Sequence, residues 1–318
     1  MQRVLSTVTL LGLLVATAAA FAITEHLKLK KAPLYGIHVS AGRTPETHPG
    51  LPTVFSPVCN CPTDVARLGI TLRHSDRVTA TIVDSAGHTV WTLADGELLG
   101  AHRATHWFWH GHTSTGLLAA DGVYKPSVTV GGHTYNFANK IFVDTVAPKV
   151  LSATGLKPVL LAGPKRSVAV KYDFGENAHA LVYVGNRLVL VGRHSRPRDK
   201  IKWNGRLNGR PAPAGRYVIS IGARDLAGNE TPAAQRKHVT VVVRYIDVTP
   251  RRRAVRVRRP FRVRVETAAK RYTWRLGTRH GSRRGKTLRL RAPSNPGTYH
   301  LVVTENGHSA AAVVSVRR

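Results

Sequence analysis

Apolar and polar residues alternate in short runs along most of this chain. That two-residue period belongs to strands with one buried face. Leu68, Ile70 and Leu72 make one such run, Val78, Ala80 and Ile82 a second, and Val168, Val170 and Tyr172 a third. Lys200–Trp203, Val218–Ala223 and Thr240–Val243 continue the pattern, as do Val90–Leu93, Tyr124–Val130 and Tyr135–Val143. Asp84–Gly87 and Gly185–Asn186 separate alternating runs and predict hairpin turns. The expected fold class is all-β.

One stretch recurs. Trp203-Asn204-Gly205 is followed by a Gly/Pro loop, then Gly215-Arg216-Tyr217, Ala223 and Asp225-Leu226-Ala227-Gly228-Asn229. Upstream, Trp109, Gly111, Gly122 and Tyr124 form a looser copy without the Asp-x-x-Gly-Asn turn. The tryptophans lie 94 residues apart and the tyrosines 93, so the two stretches are copies of one module. The Gly/Pro loop turns the chain sharply between strands, and Asp225 can accept bonds from backbone N–H groups ahead of it. Pro296-Gly297-Thr298-Tyr299 echoes the Gly-x-Tyr strand once more near the C-terminus.

This pattern resembles the immunoglobulin-like domain of the FlgD type, named for the flagellar hook-capping protein. The positions carrying the resemblance are Trp203, Gly205, Gly215, Tyr217, Ala223, Asp225, Gly228 and Asn229. It covers residues from about 54 to 246. It implies a β-sandwich used as a structural or adhesive module, and does not imply hook assembly, because a fold is not a function. The expected organisation is a signal anchor or signal peptide over 1–31 and a linker over 32–53. An Ig-like module over 54–147, a FlgD-type module over 148–249 and a basic Ig-like module over 250–318 follow. Asp144–Pro148 and Ile246–Pro250 read as the connections between modules.

The N-terminus sets the expected address. Arg3 precedes an uncharged run of 21 residues, Val4 to Thr24. At about 1.5 Å per residue this run spans roughly 30 Å, one bilayer core. Ala18–Ala20 and Ala20–Ala22 also fit a small-x-small cleavage site, so an uncleaved anchor and a cleaved export signal are both open. Either places the remainder outside the cytoplasm, at the cell membrane as a single-pass protein or secreted. Lys28, Lys30 and Lys31 can meet lipid headgroups.

Charge sharpens this picture. The net charge is +31, which argues for an anionic partner and not for any fold. Residues 251–318 hold 19 Lys and Arg against 2 Asp and Glu. Arg256 and Arg258, Arg262 and Arg264, and Arg289 and Arg291 alternate with aliphatic residues, which predicts an arginine stripe on one face of a sheet. Guanidinium groups pair bidentately with phosphate and carboxylate. The expected partners are anionic envelope polymers or lipid headgroups. A dedicated nucleic-acid role is disfavoured, because aromatic residues do not interleave regularly with the basic ones.

The remaining chemistry is sparse. Cys59 and Cys61 flank one residue, between Pro57 and Pro62. Outside the cytoplasm they suit a local disulfide; a metal or intermolecular bridge, redox chemistry and free thiols are the alternatives. In a strand, His106, His110 and His112 would share a face and could ligate zinc or copper. No carboxylate stands near them in sequence to orient the rings, and a solvated face opposite Trp107 and Trp109 is the plainer reading. No nucleophile elbow, zinc-protease helix, phosphate loop or dinucleotide fingerprint occurs, and the aspartates at 84, 121, 144, 225 and 247 stand at turns or connections. The expectation is therefore a non-catalytic protein with no cofactor.

Overall fold

The computed structural model of the chain describes residues 16–17, 32–42, 53–156, 159–162 and 166–318. Apart from Ala16 and Thr17, the expected signal segment lies outside the described residues, as do Lys28, Lys30, Lys31 and the stretch 43–52. Among the described residues no helix is long and apolar enough to cross a membrane. The chain divides into two compact units, 1–145 and 146–318. The first holds one sandwich (module 1) and the second holds two (modules 2 and 3).

Module 1 contains β1 (Leu34–Ala41), β2 (Thr53–Phe55), β3 (Ala66–Leu72), β4 (Asp76–Val83), β5 (Thr89–Leu99), β6 (Ala104–Trp109), β7 (Gly122–Val130), β8 (His133–Asn136) and β9 (Ile141–Val143). One sheet has the order β1-β3-β6, and the other β2-β9-β7-β4-β5 with β8 on β7. Module 2 contains β10 (Ser152–Leu156), β11 (Val159–Leu161), β12 (Val168–Asp173), β13 (His179–Val184), β14 (Arg187–Ser195), β15 (Arg198–Trp203), the short pair β16 (Arg206–Leu207) and β17 (Arg210–Pro211), β18 (Gly215–Arg224) and β19 (Lys237–Arg244). Its sheets run β10-β12-β15 and β11-β19-β18-β13-β14. Module 3 contains β20 (Ile246–Thr249), β21 (Arg252–Arg256), β22 (Pro260–Thr267), β23 (Tyr272–Leu276), β24 (Arg279–Arg283), β25 (Thr287–Arg291), β26 (Gly297–Glu305) and β27 (His308–Arg317). Its sheets run β20-β22-β25 and β21-β27-β26-β23-β24.

The three modules share one strand order. In each, the first strand pairs antiparallel in the three-stranded sheet. The chain then crosses, and a short second strand pairs parallel with the last strand of the other sheet. This is a tandem array of immunoglobulin-like sandwiches, with inward apolar residues of both sheets forming each core. Val170, Trp203, Ile219 and Val241 lie in the core of module 2, and Val248, Val263, Leu288 and Val303 in that of module 3.

The repeated aromatic landmarks have one geometry. Trp109 Nε1 donates to the carbonyl of His112 at 2.8 Å, and Trp203 Nε1 to that of Arg206 at 3.1 Å. Both carbonyls lie three residues on, reached because Gly111 and Gly205 take φ of 71° and 73°. The tyrosine hydroxyls each donate to a carbonyl four residues upstream: Tyr124 to Ala120, Tyr217 to Pro213 and Tyr299 to Asn295. Such a corner fixes where the long strand begins. Each tyrosine stands two residues after a glycine, Gly122, Gly215 or Gly297, that opens the strand. Module 3 keeps the corner but has no tryptophan at the end of β25.

The Asp225 turn is specific to module 2. Asp225 Oδ1 accepts from the backbone N–H of Gly228 at 2.8 Å and of Asn229 at 2.9 Å, and Oδ2 accepts from Asn229 Nδ2 at 2.9 Å. Next to it, Thr231 Oγ1 accepts from the Ala223 N–H and donates to the carbonyl of Pro148 at 2.7 Å. The turn therefore ties the end of β18 to the start of the module.

Two connections differ from the sequence expectation. Residues 34–41, expected in a linker, form β1 and pair with β3. A bulge between Tyr35 and His38 shifts the pairing, so inward residues fall at Leu34, Val39 and Ala41 and the two-residue period is broken. Residues 246–249, also expected as a connection, form β20 of module 3, with Ile246 and Val248 buried. The boundary therefore falls at Tyr245, the single residue between β19 and β20. Its hydroxyl donates to the Ala212 carbonyl, and its ring stacks on His308 at a centroid distance of 4.0 Å.

Glu305 ends β26 and is 7% exposed. Burial pushes its carboxyl pKa up, against smaller opposing effects of the Ala269 backbone N–H and of His308. Folding therefore favours the protonated acid. Its contribution is complete below the ordinary value of 4.5 and is lost as pH rises through the raised value. Glu305→Gln is expected to melt higher than the parent at pH 7, with the difference vanishing in acid. Melting curves of both proteins across an acid-to-neutral pH series check this; an equal gap at every pH refutes it.

Candidate polyanion-binding face

The alternation read from module 3 places its aliphatic residues inward. Phe261, Val263 and Val265 of β22 and Leu288 and Leu290 of β25 are buried. Their neighbours Arg262, Arg264, Arg289 and Arg291 are exposed on the outer face of the three-stranded sheet. The register sets Arg262 directly opposite Arg289, with Arg264 opposite Thr287 and Arg291 opposite Pro260. Like charges directly opposite on a sheet are unfavourable by up to about 1 kcal/mol unless an anion lies between them.

Around this pair lies an open depression of about 590 Å³, lined by Arg253, Arg262, Arg264, Lys286 and Arg289 with Thr249, Pro250, Val263 and Thr287. Arg264 is bonded to Glu266 at 2.9 Å. Among the described residues no carboxylate pairs with Arg253, Arg262, Lys286 or Arg289. The depression thus presents four uncompensated cations beside one internal ion pair. It is shallow and open, so it suits repeated charged groups of a polymer better than one enclosed small molecule.

The expected stripe is divided. Arg256 belongs to β21, in the five-stranded sheet, where it stands opposite Arg317. Arg258 lies in the turn before β22, with φ of 58°. The chain crosses to the five-stranded sheet at 250–251 and returns at 257–259, so the alternation of Val255–Arg258 and that of Phe261–Val265 belong to different sheets. Basic groups consequently stand on both sheets of module 3, and the concentrated set is the one on β22 and β25. Arg253 and Lys286 join it, although neither was singled out from the sequence. Lys286 had no signal beyond its place next to β25, and the register of β21 was not readable locally.

The other sequence candidates are structural. Cys59 and Cys61 form a disulfide with Cα atoms 5.2 Å apart in the loop after β2. Trp109, Gly111, Tyr124, Trp203, Gly205, Gly215 and Tyr217 build the tryptophan and tyrosine contacts, and Asp225, Gly228 and Asn229 the turn. The three histidines do not share a strand face. β6 ends at Trp109, leaving His110 and His112 in the following loop, while His106 meets His38 of β1. His38 had no sequence signal, since β1 was hidden by its bulge.

No family model matches the chain, and no curated protein matches it. Solved structures align with it at low similarity. The SGBP-B protein of a Bacteroides ovatus mixed-linkage glucan utilization locus, in complex with a heptasaccharide, is 14% identical with a TM-score of 0.30 over 76% of this chain and 61% of its own. A 1.5-MDa bacterial ice-binding adhesin is 11% identical with a TM-score of 0.29 over 90% of this chain and 99% of the aligned one. A three-domain I-band fragment of titin is 10% identical with a TM-score of 0.26, over 90% and 99%. The fold assignment rests on the strand order shared by the three modules, not on these alignments.

Proposed function

We propose that this chain is a non-catalytic, extracytoplasmic surface protein whose third module binds anionic envelope polymer through the outer face of β22 and β25. The observation that carries this is the direct opposition of Arg262 and Arg289, with Arg253 and Lys286 at the same depression and no carboxylate among the described residues to neutralise them. The polymer's phosphates or carboxylates supply the missing countercharge and take the bidentate geometry that guanidinium offers. Modules 1 and 2 act as structural spacers. Module 2 keeps every position of the FlgD-type pattern, which supports a structural or adhesive role. The uncharged run Val4–Thr24 supports retention at the membrane as a single-pass anchor.

Binding of the full chain to polyphosphate and to alginate, followed over a salt series, tests the reading. Exposed ion pairs are screened within about 10 Å at 0.1 M salt. Affinity should fall about tenfold or more from low to high salt. The double variant Arg262→Gln/Arg289→Gln should weaken binding about tenfold and flatten the salt dependence, with no loss of melting temperature, since relief of the opposed charges can only raise it. Salt-insensitive binding, or an unaffected double variant, would remove the basis of the proposal.

A further inference from the structure

We propose that module 1 holds a second, separate anion site: a buried cluster of polar groups for one oxyanion, built by Ser40, Arg67, His38 and His106 on the outer face of its three-stranded sheet. It is independent of the β22–β25 face and goes beyond the polymer reading.

The residues come together by register. Along β3, Ala66, Leu68, Ile70 and Leu72 point into the core, which leaves Arg67 and Gly69 on the outer face. Ser40 of β1 stands opposite Arg67, and His38 of β1 and His106 of β6 flank Gly69 on its two sides. The imidazole centroids are 5.2 Å apart. They meet over Gly69 because it lacks a side chain: a Cβ there would lie 2.0 Å from His38 Cε1 and 2.7 Å from His106 Nδ1.

The polar atoms of this cluster are buried and unsatisfied. Arg67 is 7% exposed and Ser40 3%, although both lie on the outward side of the sheet. Arg67 Nε and Nη1, Ser40 Oγ, His38 Nε2 and His106 Nδ1 are all buried with no protein hydrogen-bond partner among the described residues. Buried polar atoms are almost always paired, and five orphans on one face are not random. A guanidinium cannot shed its proton, so its burial calls for a countercharge. No carboxylate among the described residues provides one.

An oxyanion matches the charge and the donors of this set. Arg67 is a charged donor at both orphaned atoms, Nε–H and Nη1–H, which lie on different edges of the guanidinium, and the Ser40 hydroxyl can donate to an anion at either edge. His38 Nδ1 lies 3.2 Å from the Gly36 carbonyl, which only accepts, so Nδ1 carries the proton of the neutral ring. In that ring Nε2 is an acceptor, which a hydroxyl of the anion's molecule can meet. Burial, with the charges of Arg67 and His38, holds the His106 pKa below the ordinary histidine value, and an anion among these three groups opposes that shift. A metal ion would satisfy the imidazoles alone and would be repelled by Arg67.

The test is to follow the ring resonances of His38 and His106 in the full chain while chloride is replaced by inorganic phosphate, or by glucuronate, at constant ionic strength. A saturable shift of both rings with either anion supports the site. Phosphate alone assigns a tetrahedral group, and glucuronate alone a carboxylate. Arg67→Met and Gly69→Ala should each weaken the response about thirtyfold or more, the first by removing the charge and the second by pushing the rings apart. Arg262→Gln should leave it intact, which separates this site from the polymer face. The proposal is overturned if neither anion gives a saturable shift, or if the shift survives in Arg67→Met. It is also overturned if zinc ions alone move both rings and still do so without Arg67.

Discussion

Trp203→Ala is expected to unfold module 2. The indole is 2% exposed, packs edge-on to Tyr217 at 6.0 Å between centroids, and bonds the Arg206 carbonyl. Truncating a buried tryptophan costs about 3–5 kcal/mol. That is a large share of what a domain of this size holds, and here it also releases the loop that positions the Tyr217 corner. Urea unfolding with intrinsic fluorescence and circular dichroism should show the loss of one transition, with module 1 retained. A melt unchanged from the parent would contradict the core assignment. Trp203→Phe should recover most of the loss, since volume is largely kept and only the indole hydrogen bond is missing.

Asp225→Ala is the second large effect. The carboxylate is 6% exposed and accepts at least three hydrogen bonds inside a five-residue turn. Hydrogen bonds to charged groups contribute about 1.5–3 kcal/mol each when measured singly, and they do not add fully. A loss of about 3 kcal/mol or more is expected. The turn also presents Thr231 to the Pro148 carbonyl, so the start of module 2 should loosen with it. Hydrogen exchange should show faster exchange at the Gly228 and Asn229 amides, spreading to the residues beside Pro148. A stability change below about 1 kcal/mol would mean the turn holds without its carboxylate.

The sequence carried the architecture wherever apolar residues recur at every second position. β3, β4, β12, β18, β22 and β25 were all visible in this way. The repeat was visible too, because one tryptophan and one tyrosine with fixed glycines mark the same corner in successive modules. Local pattern failed where the chain changes sheets. β1 is bulged, so its inward residues lose their period, and β20 is only four residues long beside a proline. The same crossover separated Arg256 and Arg258 from the remaining arginines, since alternation says which residues share a face of one strand and not which sheet the strand joins. The cluster of Ser40, His38, Arg67 and His106 had no local signature at all. Its members are far apart in sequence, and what joins them is antiparallel register across three strands over a glycine.

The short parallel pairings have a mechanical meaning. A parallel neighbour at the end of a sandwich is loaded lengthwise when the chain ends are pulled, so its bonds resist together and do not peel one after another. Among the described residues that clasp spans three pairs in module 1 and in module 2, and five in module 3, from Arg252 opposite Val313 to Arg256 opposite Arg317. Under tension the sandwich that bears the arginines therefore holds the chain by five pairs that must give way together.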